Sequence, residues 1–191
     1  METGTSAVLI LIDNDFDDME LMYPRLRLQE AGYQAIVAGP KPNELYHGKH
    51  GYPCRSEQWI FDVHEPYFMG IVCPGGMAAA SLRREEKIKN LVAQFHRSGK
   101  LIASICTGGW IPISAGVYRG VHATGSLEIK DDLINAGVIF KDAPAVIDRH
   151  FVSSRKAEDL PAFMKAVLEV LAAQQAANLT AHDKEATLTV K

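Results

Sequence analysis

Cysteine is scarce in this 191-residue chain: Cys54, Cys73 and Cys106 are an odd, widely spaced set with no C-x-x-C pair. That pattern argues against both a disulfide framework and a zinc knuckle. His47 and His50 stand three apart, but Gly48 and Gly51 place them in a turn without a flanking acidic cluster, so neither a metal site nor another cofactor is expected. Charge of one sign is also lacking. Twenty Lys and Arg against 23 Asp and Glu give a net charge of -3, with basic residues scattered among acidic ones, which leaves no footprint for nucleic acid. No apolar run approaches the ~20 residues of a membrane span, and the N-terminus does not read as a secretory signal, so the expectation is a cytoplasmic protein that binds no membrane. Internal repeats and low-complexity tracts are absent.

What the chain has is alternation. With 47% hydrophobic residues it can bury a large single core. Ala7 to Ile12 is a continuous apolar run, the pattern of a strand buried on both faces, and the acidic turn Asp13 to Asp18 follows it. Met19 to Ala31 has helical spacing up to Gly32, with Pro24 read as an early-turn residue or a kink. Gln34 to Ala38 predicts a second strand, His47 to Arg55 a hairpin excursion, and Gly70 to Cys73 a third buried strand ending in Pro74-Gly75-Gly76. Arg84 to Ser98 predicts an amphipathic helix, and Lys156 to Gln174 or Gln175 the last helix, with short strands and one helix between Val121 and Ser153. The implied fold is α/β, a three-layer sandwich with a mostly parallel central sheet and helices on both faces. Such folds bind ligands at the carboxyl ends of their strands. Residues 1–175 form one domain, and 176–191 read as a polar tail, free or docked on the body or a second subunit.

Three strand ends carry chemistry. In Lys100-Leu-Ile-Ala-Ser-Ile-Cys106-Thr107-Gly108-Gly109-Trp110, an apolar strand stops on a thiol followed by two glycines. That is the pattern of a nucleophile elbow, in which a tight strand-to-helix turn exposes the side chain and glycines permit close approach. A helix from about Gly109 to Gly116 would aim its positive end at the sulfur and favour thiolate. The turn after Cys73 can present the amides of Gly75, Gly76 and Met77, and the elbow that of Thr107, to a developing oxyanion. The acidic turn supplies Asp17 and Glu20. Each has a plainer alternative, a helix cap for Asp17 and an exposed first-turn acid for Glu20. Trp110, Gly125, Ser126, His122 and His150 complete the candidate pocket, although a tryptophan placed like Trp110 is more often core than substrate platform.

Phe16-Asp-Asp-Met-Glu20-Leu-Met-Tyr-Pro24, Gly48-Lys-His-Gly-Tyr52, Cys73-Pro-Gly-Gly76, Ala103-Ser-Ile-Cys106, Ile113-Ser-Ala-Gly-Val117, Ile129-Lys-Asp-Asp-Leu-Ile-Asn-Ala-Gly137 and Val152-Ser-Ser-Arg155 together resemble the ThiJ/PfpI superfamily, nearest its PfpI branch of intracellular cysteine peptidases. The resemblance spans roughly residues 7–171. It implies a flavodoxin-like sandwich, a homodimer or higher homo-oligomer, and a reactive cysteine at Cys106 sharing a hydrogen bond with Glu20. Two positions depart from the branch. A histidine directly after the cysteine is replaced by Thr107, and a glutamate contributed after the Pro-Gly-Gly turn is missing from Met77-Ala78-Ala79-Ala80-Ser81. The elbow Cys106-Thr107-Gly108 is similar to that of isonitrile hydratases, where a thiol adds to an electrophilic carbon and an acidic residue handles protons.

The sequence therefore predicts a cysteine-dependent hydrolase or hydratase acting on an electrophilic carbon of a small molecule, at a carbon–nitrogen bond. Cys106 is the nucleophile, and Glu20, with Asp17, handles protons. The alternatives are a peptidase, glyoxalase or deglycase, for which His122, His150 or a histidine from another subunit would stand at the sulfur, and a redox-responsive protein in which Cys106 is oxidised.

Overall fold

The structure, a computed structural model, describes residues 6–188, with side chains through Thr180. In chain order the elements are β1 (Ala7–Leu11), α1 (Asp18–Glu30), β2 (Gln34–Gly39), β3 (Leu45–His47), β4 (Pro53–Arg55), β5 (Gln58–Trp59), β6 (Gly70–Cys73), α2 (Ala78–Leu82), α3 (Glu86–Arg97), β7 (Leu101–Ile105), α4 (Trp110–Ser114), β8 (His122–Ala123), α5 (Lys130–Asn135), β9 (Ile139–Phe140), β10 (Ala145–Asp148), β11 (Phe151–Ser154) and α6 (Leu160–Leu188). Seven strands form the central sheet in the order β10-β11-β7-β6-β1-β2-β5, parallel throughout except for the β10–β11 hairpin at one edge. This is the doubly wound α/β sandwich anticipated above. The crossing helices demand parallel strands, and parallel strands buried on both faces demand continuous apolar runs, which β1 and β7 supply with every residue buried.

Helices α1 and α6 pack together, and α6 lies on β7, β10 and β11; α3 covers β6 and β7 and meets α4. The spacing of Ile88, Leu91, Val92 and Phe95 puts all four on one stripe of α3, and all four are buried. Full burial of a side chain such as Phe95 contributes roughly 2–3 kcal/mol.

Several local expectations change. Pro24 lies inside α1, not in its first turn, and therefore cannot donate an N–H to the Glu20 carbonyl one turn earlier. The helix after the elbow is short: a 3₁₀ turn over Cys106–Gly109 precedes the five residues of α4. Position 176 does not end the last helix, because α6 continues to Leu188, while 189–191 lie outside the described residues. Gln174 Nε2 donates to the Gly99 carbonyl at 3.1 Å and Tyr33 Oη donates to Gln175 Oε1 at 3.0 Å, which fastens the middle of α6 to the body. No helix of the described residues is long and apolar enough to cross a membrane.

Candidate active site

The carboxyl ends of three adjacent strands, β7, β6 and β1, lie side by side, and Phe16 ties the loops that leave them. Phe16 bridges both Gly48 of the β3–β4 loop and Gly76 of the β6–α2 turn. Gly76 needs its freedom there: φ is +83°, and a β-carbon would collide with the Asp15 carbonyl.

Cys106 opens the 3₁₀ turn after β7 with φ of +58°, a left-handed conformation unusual for any residue but glycine. The turn fits because Gly108 packs onto the Cys73 carbonyl, where no side chain has room. The Thr107 hydroxyl donates to the Gly76 carbonyl at 2.9 Å, stapling elbow to Pro-Gly-Gly turn. Gly125 lies 3.4 Å from the Cys106 carbonyl by the position its β-carbon would take, and the Ser126 amide approaches the same oxygen at 3.5 Å.

Glu20 reaches the thiol from the first turn of α1 and is 1% exposed. Its Oε2 accepts from the Gly75 amide at 2.8 Å, and its carboxyl lies near enough to Cys106 for the thiol to lower its pKa. Burial, then the charge of Asp17, raises its pKa to about 7, against the pull of the Gly75 amide, Lys49 and the thiol. Burial, then the Glu20 charge, raises the Cys106 thiol to about 11, outweighing the Thr107 amide and the Ser126 and Thr107 hydroxyls, which favour thiolate. The shift runs opposite to the helix-end activation expected: burial and the neighbouring Glu20 charge outweigh the contacts that favour thiolate.

Asp17 both caps and connects. Its Oδ1 accepts from the amides of Met19 and Glu20 at 3.1 and 3.2 Å, the ordinary N-cap, while Oδ2 meets Lys49 Nζ at 2.5 Å. Lys49 was not singled out in the sequence. Its place depends on the β3–β4 loop, which Asp18 holds by accepting from the amides of His50 and Tyr52 at 3.0 and 2.9 Å, and which the Lys49 amide joins to the Phe16 carbonyl at 2.9 Å. The Gly-Lys-His-Gly-Tyr motif is a legible signal for that loop, though not for the ion pair.

The remaining candidates divide. Among the backbone amides expected to serve as donors, that of Gly75 is taken by Glu20 and that of Thr107 acts on the thiol. The buried Ser126 hydroxyl has no partner at ordinary hydrogen-bond distance, yet lies near enough to lower the thiol's pKa. Trp110 turns its Nε1 to Asp132 at 2.7 Å and its face to Arg83, 5.5 Å from the ring centre, an engagement between helices. His150 is not brought to the thiol. Its carbonyl accepts from Ile102, at the opposite end of β7 and roughly 13 Å away at strand rise, and its ring meets His96 at 3.0 Å. Burial lowers His150 to about 4. His122 is held at that same end by Asp148, whose Oδ2 accepts from its amide at 2.7 Å. Neither histidine stands in for the imidazole missing beside Cys106.

A family model described as the DJ-1/PfpI family matches residues 6–170. The chain belongs to that family. A protein named a deglycase from Pyrococcus abyssi is 43% identical over 164 residues, covering 86% of this chain and 98% of its own, and the deglycase PfpI of Pyrococcus furiosus is 38% identical with the same coverage. Among solved structures, a two-domain protein with DJ-1/ThiJ/PfpI-like and ferritin-like domains from Anabaena variabilis superposes with a TM-score of 0.86 at 33% identity. The match covers 88% of this chain and 48% of that one, so this chain spans about half of the two-domain protein.

Proposed function

We propose that this DJ-1/PfpI protein is a cysteine-dependent hydrolase that opens a carbon–nitrogen bond at an electrophilic carbon of a small carbonyl-derived adduct. The observation that carries the reading is the pairing of Cys106, on its strained elbow, with a buried Glu20 carboxyl whose pKa of about 7 lets it take and return a proton at neutral pH. Two Pyrococcus relatives carry the name deglycase, and freeing an amine from a carbonyl-derived group is a hydrolysis at such a bond.

The proton inventory closes with these two residues and water. In the first half the thiol proton passes to Glu20, sulfur bonds to carbon, the carbon–nitrogen bond breaks, and the leaving nitrogen takes the proton from Glu20. In the second half water gives a proton to Glu20 while its oxygen bonds to the same carbon, and the departing sulfur recovers that proton. The Gly76 and Met77 amides support negative charge on oxygen at that carbon. Hydration of a carbon–nitrogen multiple bond uses the same residues and is the second reading, favoured by the Thr107 elbow.

The test is release of free amine from adducts of methylglyoxal with N-acetyl-lysine, with peptides and an isonitrile assayed in parallel. Amine release should vanish in Cys106→Ala and fall about a hundredfold or more in Glu20→Ala. Turnover that survives Cys106→Ala overturns the proposal, and turnover of the isonitrile alone replaces it with the second reading.

A further inference from the structure

The Asp17–Lys49 pair is not needed by the proton inventory above, and its geometry is lopsided. The Asp17 carboxylate is tucked beneath, with its side chain 8% exposed and one oxygen occupied by two amides at the start of the 13-residue α1. The Lys49 side chain lies above it, 46% exposed, and its charge acts on both the Glu20 carboxyl and the Cys106 thiol. What an approaching molecule meets is therefore an ammonium, pinned in place by a carboxylate it cannot easily reach. The pin matters because a free lysine on a loop would lose rotamer freedom on meeting a ligand; here Asp17 and the loop anchors at Asp18 and Phe16 have already fixed it. The helix N-terminus beneath Asp17 and the hydrogen bonds to that carboxylate further offset its negative charge.

We infer that Lys49 is the anion-recognition group of the Cys106 site, and that the site takes reactants bearing a carboxylate next to the electrophilic carbon. This rests on reading Cys106 as the nucleophile. An α-oxo acid adduct fits the arrangement: its carbonyl-derived carbon meets the sulfur while its carboxylate meets Lys49. A neutral carbonyl of the same size lacks the second contact.

The experiment compares alkylation of Cys106 by iodoacetate, which is anionic, with that by iodoacetamide, which is neutral and of nearly the same size. The ratio of the two rates, followed by intact mass at pH 6.5, reads the local charge independently of turnover and of thiol pKa, since both reagents share one sulfur. The ratio should fall about five- to tenfold in Lys49→Met, be retained in Lys49→Arg, and collapse in wild type at 1 M salt. Equal ratios in wild type and Lys49→Met overturn the inference, whatever the folding stability of the variants. Amine release from glyoxylate and methylglyoxal adducts separates the two readings. Loss of the ratio in Lys49→Met without turnover of either adduct retains the anion site and removes the proposed hydrolysis. Cys106-dependent turnover with an unchanged ratio does the reverse.

Discussion

The Gly75 amide donates to Glu20 Oε2 at 2.8 Å, and a β-carbon on Gly75 would lie 2.6 Å from that same oxygen and 2.8 Å from Cys106 Cβ. Backbone, not side chain, thus fills the gap between acid and thiol. The hydrogen bond orients the carboxyl, and the absence of a side chain lets the sulfur come within its reach.

Gly75→Ala should then separate the two groups. The inserted methyl must displace the Glu20 carboxyl, the elbow or both, at a cost of about 1–3 kcal/mol in stability. Iodoacetamide alkylation of Cys106 should lose its dependence on Glu20, so that Gly75→Ala and Gly75→Ala combined with Glu20→Gln alkylate alike. Urea unfolding and the alkylation rate measure the two effects separately; a variant with wild-type values of both would show that the close contact has no consequence.

Because one carboxyl and one thiol share a buried site, alkylation should rise in two steps with pH. The first proton leaves the pair near pH 7, giving a small fixed fraction of thiolate and a low plateau, and the second leaves near pH 11. Glu20→Gln should abolish the lower step. It also removes the negative charge that helps hold the thiol high, so the single remaining rise should fall below 11. A Gln variant that keeps an inflection near 7 would assign that step to another group.

How the site divides between legible and illegible parts follows from the range of the forces involved. Cys106, Thr107 and the Pro74-Gly75-Gly76 turn could be read because strand ends and glycines are local signals, and the parallel sheet aligns them without further instruction. The apolar runs of β1, β6 and β7 fixed the layers for the same reason. Lys49 could not be read, since its position is set by Phe16 bridging Gly48 and by Asp18 binding a loop more than thirty residues away. The direction of the thiol's pKa was also hidden: a helix starting after the elbow suggests activation, while burial and Glu20 act in the opposite sense. His122 and His150 were drawn toward the pocket by residue type alone, and strand register carries both to the far end of the sheet.

Glu20 should make the protein less stable as pH rises. Its pKa climbs from 4.5 to about 7 on folding, so between those values the folded state holds a proton that the unfolded chain has released. Stability from this group is greatest below pH 4.5, declines as pH rises to 7, and above 7 is lower by about 3 kcal/mol. Glu20→Gln removes that dependence. The difference in unfolding free energy between Gln variant and wild type should therefore grow from pH 4.5 to 7 and level off, as read from urea titrations at fixed pH; a difference flat across that window would mean the carboxyl is ionised throughout.

Cys106 pays for its exposure in backbone conformation, and that cost can be isolated from the chemistry. Left-handed φ costs an L-residue roughly 1–2 kcal/mol, whereas glycine adopts it freely. Cys106→Ala and Cys106→Gly both delete the thiol, so both should be inactive, and they differ only in the methyl that makes a φ of +58° unfavourable. Glycine should be the more stable of the two by about 1 kcal/mol, even though it loses more chain entropy on folding. Were alanine equal or better, the elbow would not be strained. With glycine ahead, the presence of cysteine at 106 is explained by reactivity and not by packing, because the fold would be better served by the residue that cannot react.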